Sequence, residues 1–93
     1  MDTARSVNNV FIRLTKDRWQ HISIGHPEIA DYYYEILETI KNPKIIYEGY
    51  QGGLIAISRK IEYTNNFIVL VYKEISNKDG FVITAYISNK IQK

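Results

Sequence analysis

The chain has 93 residues, of which 45% are apolar, with a net charge of +2 and no cysteine. That length supports one domain with its own core, and the missing cysteine excludes disulfides, thiolate metal sites and a cysteine nucleophile. The charge is too small to argue by itself for a nucleic-acid partner. No apolar run is long enough to cross a membrane, and the N-terminal residues lack the apolar stretch of a signal peptide, so a cytoplasmic protein is expected.

Residues 1–9 are polar and without periodicity, which predicts a loose arm ahead of a single domain over 10–93. Val10, Ile12 and Leu14 alternate with Phe11 and Arg13 as a short strand. Thr15 is a natural helix N-cap and Asp17 suits the helix dipole, predicting a helix over 16–23 with Trp19, Ile22 and Ser23 inward. Gly25 is expected to end it in a left-handed conformation. His26-Pro27-Glu28 opens a second helix, with Pro at the first position. Ile29, Tyr33, Ile36, Leu37 and Ile40 form its apolar stripe, and Asn42-Pro43 ends it.

The pattern then turns to strands. Lys44–Glu48 is short, Gly49–Gly53 is a turn, and Leu54–Tyr63 alternates. Phe67–Tyr72 is apolar on both faces and reads as the central strand. After Asp79-Gly80, a turn signal, the last strand splits into two faces. Phe81, Ile83, Ala85 and Ile87 are expected in the core. Val82, Thr84, Tyr86 and Ser88 form the other face, which ends in a row of hydroxyls. Short connections imply antiparallel pairing. The expected fold is α+β: an N-terminal strand and two helices packed on one face of a four- to five-stranded antiparallel meander.

The two histidines, His21 and His26, are the side chains suited to moving a proton near neutral pH. One packed helical histidine and one cap-like histidine is the plainer reading of the pair. A metal site from His21, His26 and Glu28 is disfavoured, because five residues across a helix break do not place two ligands on one face. No phosphate loop or nucleophile elbow is present, and neither metal nor cofactor is expected. Lys60, Lys73 and Arg13 are ordinary surface charges unless the hydroxyl face of the last strand lines a cleft. Eight tyrosines exceed what a core of this size uses. A cleft with Lys, Tyr, Thr and His would hold a phosphodiester electrostatically and stack bases on tyrosine.

Several strings, in order, resemble one family. They are Leu14-Thr15-x-x-x-Trp19-x-His21-Ile22, His26-Pro27-Glu28, Asn42-Pro43, Val69-Leu70-Val71-Tyr72-Lys73-Glu74 and Asp79-Gly80-Phe81-Val82-Ile83-Thr84-Ala85-Tyr86. They resemble the phage-associated branch of the barnase, EndoU, colicin and RelE-like nuclease superfamily, over roughly residues 10–90. The resemblance implies N-terminal helices followed by an antiparallel sheet, and metal-independent ribonuclease activity, often as a toxin with a protein antitoxin as partner. It implies His21, His26, Lys73, Thr84 and Tyr86 as catalytic positions, with Lys60 and Tyr72 carried over beside them. With Ser88 of the hydroxyl face, Lys60 and Tyr72 are expected to bind RNA. In one departure, the family pattern has a basic residue before His-Pro-Glu, and here Gly25 stands there.

Two functions follow as expectations. In the first, the substrate's 2′-hydroxyl is the nucleophile, His21 takes its proton, and Lys73 and Thr84 hold the phosphate. His26 or Tyr86 then protonates the leaving 5′-oxygen. In the second, an inactive relative binds RNA or a protein, with Tyr32 and Tyr34 as an interface rim. Gly25 and the low net charge favour the second.

Overall fold

The computed structural model describes residues 2–90, the Tyr50 side chain excepted; Met1 of the expected arm and residues 91–93 of the expected domain lie outside the described residues. In chain order the elements are β1 (Asp2–Arg5), β2 (Phe11–Leu14), α1 (Lys16–Gly25), a 3-10 segment (Pro27–Tyr32), α2 (Tyr33–Lys41), β3 (Ile45–Glu48), β4 (Gly53–Ile57), β5 (Phe67–Glu74) and β6 (Gly80–Ser88). The fold is α+β, with one mixed six-stranded sheet in the order β1-β2-β6-β5-β4-β3. This corrects the expected four to five antiparallel strands in two places. Asp2–Arg5, expected as an arm, pair antiparallel with β2 from Asp2↔Leu14 to Arg5↔Phe11. The β1–β2 hairpin then joins β6 in parallel, at Ile12↔Gly80 and Arg13↔Phe81. The hairpin turn is fixed by Ser6, whose Oγ donates to Glu74 at 2.6 Å, while Asn9 takes a positive φ of 66°.

Thr15 caps α1 as expected, its Oγ1 accepting from the Arg18 N–H at 3.1 Å. The helix runs two residues further than its polar pattern suggests, and His26 is its C-cap. Gly25 does not take a positive φ, and a Cβ there would meet nothing within 4 Å. Its backbone is ordinary helix, so Gly25→Ala is expected to stabilise the fold by about 0.4–1 kcal/mol, through the entropy of the unfolded chain. Thermal melting of the two proteins checks this; a lower Tm for the variant would refute it.

The second helix is divided. Pro27 opens a 3-10 segment, and α2 begins only at Tyr33. Ile29, Ile36 and Ile40 of the expected stripe are fully buried, and Tyr33 and Leu37 are half-buried. They pack with Ile22 on Ala4, Ile12, Leu14, Ala56, Ile68, Leu70, Val82 and Ala85 of the sheet. Each buried Ile or Leu contributes roughly 1.5–3 kcal/mol. Between Ile57 and Phe67 the chain leaves the sheet, so β4 stops short of the alternation that reaches Tyr63.

The last strand departs most from its pattern. Tyr72 pairs with Val82 but Val71 pairs with Thr84, so Ile83 is an extra residue, a β-bulge. Val82 faces the helices, not the hydroxyl side as expected, and Phe81 faces away. The bulge resets the alternation, so Ala85 and Ile87 pack on the helix-side core while Tyr86 packs on the opposite face with Ile57, Phe67 and Val69.

Tyr72 is fully buried on the helix side, and its hydroxyl has no hydrogen-bond partner among the described residues. Burial, with the Glu74 carboxylate second, pushes its phenol up to about 12. The unfolded chain loses this proton near pH 10, so the contribution to stability is complete below that value and is lost as pH rises through about 12. Tyr33, also raised to about 12 by burial and by donating to Asp2, adds a smaller, solvent-screened share. Tyr72→Phe removes an unpaired buried hydroxyl and keeps the ring. We expect it to be neutral or to stabilise the fold by about 1 kcal/mol at neutral pH. It should also flatten the alkaline loss, by at most about 1.4 kcal/mol per pH unit. Urea unfolding at neutral and alkaline pH measures both; a clear destabilisation at neutral pH would show that the hydroxyl has a partner.

Candidate functional site

The site is built where α1 runs beside β6. β2 pairs with β6 only at Gly80 and Phe81, which leaves the rest of that edge without a strand neighbour among the described residues. Arg18, Ile22 and His26 fall at i, i+4 and i+8, one stripe of α1. Ile22 is buried. At one end of the stripe, the Arg18 guanidinium donates from Nη1 to the carbonyl oxygen of Ile83, the bulge residue, at 3.3 Å. At the other, the His26 ring lies against Tyr86, with centroids 5.7 Å apart and planes tilted by 35°. The stripe therefore follows β6, with a cation at one end and an imidazole at the other.

His26 is held by its position as C-cap, where its N–H bonds to the Ile22 carbonyl at 2.8 Å. Its Nδ1 lies 3.7 Å from Glu28, an ion pair whenever the imidazole is protonated. The side chain is 42% exposed, so its ring is packed on one side and open to a ligand on the other. Thr84 and Tyr86 share the helix-free face of β6 because of the bulge, and Tyr86 is the one that meets His26. Without the extra residue, alternation from buried Val82 would turn both into the core.

The other expected residues are spread more widely. His21 is exposed on α1, one position before buried Ile22. Five residues of α-helix rotate by about 140°, so His21 and His26 point to different sides. Lys73 is on the helix-free face of β5, opposite Phe81 and Gly53, and its Cε lies 4.0 Å from where a Gly52 Cβ would be. It therefore leans toward the β3–β4 turn. From Val69, opposite Tyr86, to Lys73 is a short run along β5, about 13 Å. Ser88 pairs with Phe67 at the end of the sheet, and its hydroxyl bonds to Lys90 backbone groups at 2.9 and 3.0 Å. Tyr72 has no accessible surface, which removes it from the residues expected to bind RNA. Arg13 is held in a two-point ion pair with Asp79, at 2.8 and 3.1 Å.

Lys60 lies elsewhere, in the β4–β5 connection. There it lines a groove of about 560 Å³ with Tyr32, Glu35, Glu38, Arg59 and Glu62. The walls are of mixed sign, with three carboxylates, and do not suit a polyanion. Among the described residues, no three His, Asp or Glu come close enough to hold a metal. No helix among them is long and apolar enough to cross a membrane.

Arg18 is the residue that sequence reasoning misses. The signal is its spacing from Ile22 and His26, which marks an inward-facing charge on a short helix. The bulge that gives it a partner has no signal in the sequence of β6. No family model, curated protein or solved structure matches the chain.

Proposed function

We propose that the protein is a metal-independent endoribonuclease acting on RNA in the cytoplasm, with its site along the β6 edge. The observation that carries this reading is the His26 ring against Tyr86, with Arg18 of the same helix stripe anchored beside Thr84. An imidazole and a phenol hydroxyl meet at one end of the stripe, and a guanidinium lies about 12 Å along it at the other, beside the strand that carries Thr84; these are group types that transfer at a phosphodiester needs. His26 takes the proton of the substrate's 2′-hydroxyl. The 2′-oxygen attacks phosphorus, the bond to the 5′-oxygen breaks, and the Tyr86 hydroxyl gives that oxygen its proton. The products are a 2′,3′-cyclic phosphate and a 5′-hydroxyl. Thr84, two residues from Tyr86 on the same face, holds a non-bridging oxygen as charge builds on it, where fixed donors act most strongly, and Arg18, at the other end of the stripe, binds the RNA backbone beyond it. Arg18 takes the place of the cation missing at Gly25, and Lys73 binds the backbone further along. A protein antitoxin is the partner that this reading implies.

The test is cleavage of RNA by the purified protein in excess EDTA, with one 2′-deoxynucleotide placed at the cut. Cyclic-phosphate ends, and no cutting at the deoxy position, are expected. Cutting at that position would overturn the mechanism.

A second reading, an RNA- or protein-binding module, is favoured by the apolar stripe of Ile45, Tyr47, Ile55 and Tyr86 on the helix-free face. Under it, the folded protein leaves RNA intact. If RNA is the ligand, binding strengthens as salt falls, because phosphate contacts release counterions.

A further inference from the structure

β3 is the last strand of the sheet, and only β4 pairs with it among the described residues. The Gly49 N–H bonds to the Gly53 carbonyl at 2.7 Å, so the polar groups of Gly49 face β4. Those of successive residues alternate in direction back to Ile45, where the alternation ends, because the Lys44 N–H also turns toward β4, onto the Ile57 carbonyl at 2.8 Å. The N–H and C=O groups of Ile46 and Glu48 therefore face outward, with no described strand beyond them. Such an edge is a template for another strand unless charge, proline or a covering element blunts it. Here Pro43 precedes the strand, and the strand itself is Ile45-Ile46-Tyr47-Glu48.

We infer that this edge pairs with the same edge of a second copy of the chain. The segment Lys44–Glu48 is self-complementary when read antiparallel about a two-fold axis at Ile46. Ile45 then stands opposite Tyr47 of the second copy and Ile46 opposite itself, while Lys44, just before the strand with its N–H on the Ile57 carbonyl, lies at the end of the pairing beside Glu48 of the second copy. The outward N–H and C=O of Ile46 meet their own counterparts, the pairing in which two residues exchange both hydrogen bonds. Opposite charges and an aromatic paired with a β-branched residue are the favourable cross-strand pairs, and the two-fold axis repeats each of them.

The charges are available for this. Lys44 and Glu48 are exposed, and among the described residues neither has a salt bridge or side-chain hydrogen bond. Of the other open edges, β6 beyond Phe81 lies beside α1, where Arg18 bonds to the Ile83 carbonyl, and β1 carries opposite charges at its ends that are already engaged. Asp2 accepts from the Tyr33 hydroxyl, and Arg5 lies 4.6 Å over the Phe11 ring. β3 is therefore the edge that pairs. A strand of this length gives less contact than the roughly 1,200–2,000 Å² of a standard interface, so the dimer forms with rising concentration rather than permanently.

The test is sedimentation velocity from low micromolar to near-millimolar protein, on wild type, Lys44→Glu, Glu48→Lys and the double variant. Both positions are exposed, so folding is unaffected. Wild type is expected to dimerise with concentration. Each single variant sets like charges beside each other on both sides of the axis and should weaken the dimer roughly tenfold or more. The double variant restores opposite charges and should recover the dimer. A monomer throughout the range would overturn the inference, as would single variants that dimerise like wild type. RNA cleavage plays no part in this measurement, so the ribonuclease reading and the dimer stand or fall separately.

Discussion

His26→Ala is expected to lower the rate of RNA cleavage by about 100-fold or more, the usual scale for loss of an acid–base group. His21→Ala should leave the rate close to wild type. The sequence ranks the two histidines the other way, with His21 as base. The reversal has a geometric cause. His21 is exposed, with no side-chain hydrogen bond among the described residues, whereas His26 is packed on Tyr86 and set in place by the helix end. A base must be oriented as well as present. The His26 ring is half-exposed, so its removal should leave circular dichroism and Tm nearly unchanged, and lost activity then reports chemistry. Full activity in His26→Ala with loss in His21→Ala would overturn the assignment. Full activity in both would remove histidine from the mechanism.

Gly80→Ala is the second large effect, and it concerns the fold. A Cβ at Gly80 would lie 2.4 Å from the Lys73 carbonyl oxygen and 2.6 Å from Ile12 Cδ1. The first neighbour is ladder backbone and cannot swing aside. Gly80 stands where three strands meet, paired with Ile12 of β2 and Glu74 of β5. Relief would require β2 or β5 to move, and β2 has only Gly80 and Phe81 as partners on β6. We expect destabilisation of roughly 2–4 kcal/mol, at or beyond the upper range for overpacking. In a domain of this size that lowers Tm by roughly 10–25 °C. A melt within a degree or two of wild type would show that the sheet yields at this point. Gly25→Ala is the natural companion, because the same exchange there meets open space.

These two glycines show what is legible in the sequence and what is not. Sequence signals treat both through backbone freedom, one as a helix stop and the other as a turn. Neither takes a positive φ. Gly80 is required because two strands press on its missing side chain, and contact between residues 12, 73 and 80 is not a local property of the chain. Local signals do well where the physics is local: the Thr15 cap, the Ile29-Ile36-Ile40 stripe and the apolar central strand. β1 escapes them because Asp2-Thr3-Ala4-Arg5 has one buried side chain, too few to form a pattern. Alternation assigns the faces of β6 wrongly before Ile83 and rightly after it, because one inserted residue reverses the phase. For the site, His26, Thr84 and Tyr86 are among the candidates that the residues alone suggest. Excluding Tyr72 and singling out Arg18 lie beyond them, since both depend on which side of the sheet a residue faces.

The parallel contact between β2 and β6 also bears on when the site exists. Arg18 and the carbonyl it holds are 65 residues apart in sequence, and β6 is the last described strand of the chain. Until Gly80–Ser88 inserts between β2 and β5, the N-terminal hairpin has no sheet to join, and the His26 ring has no Tyr86 to rest on. Contacts this distant form late, after their loop-closure entropy is met. During synthesis, therefore, the chain carries its imidazole for most of its length without Tyr86 beside it, and a chain stopped short of β6 lacks the strand on which the proposed site depends.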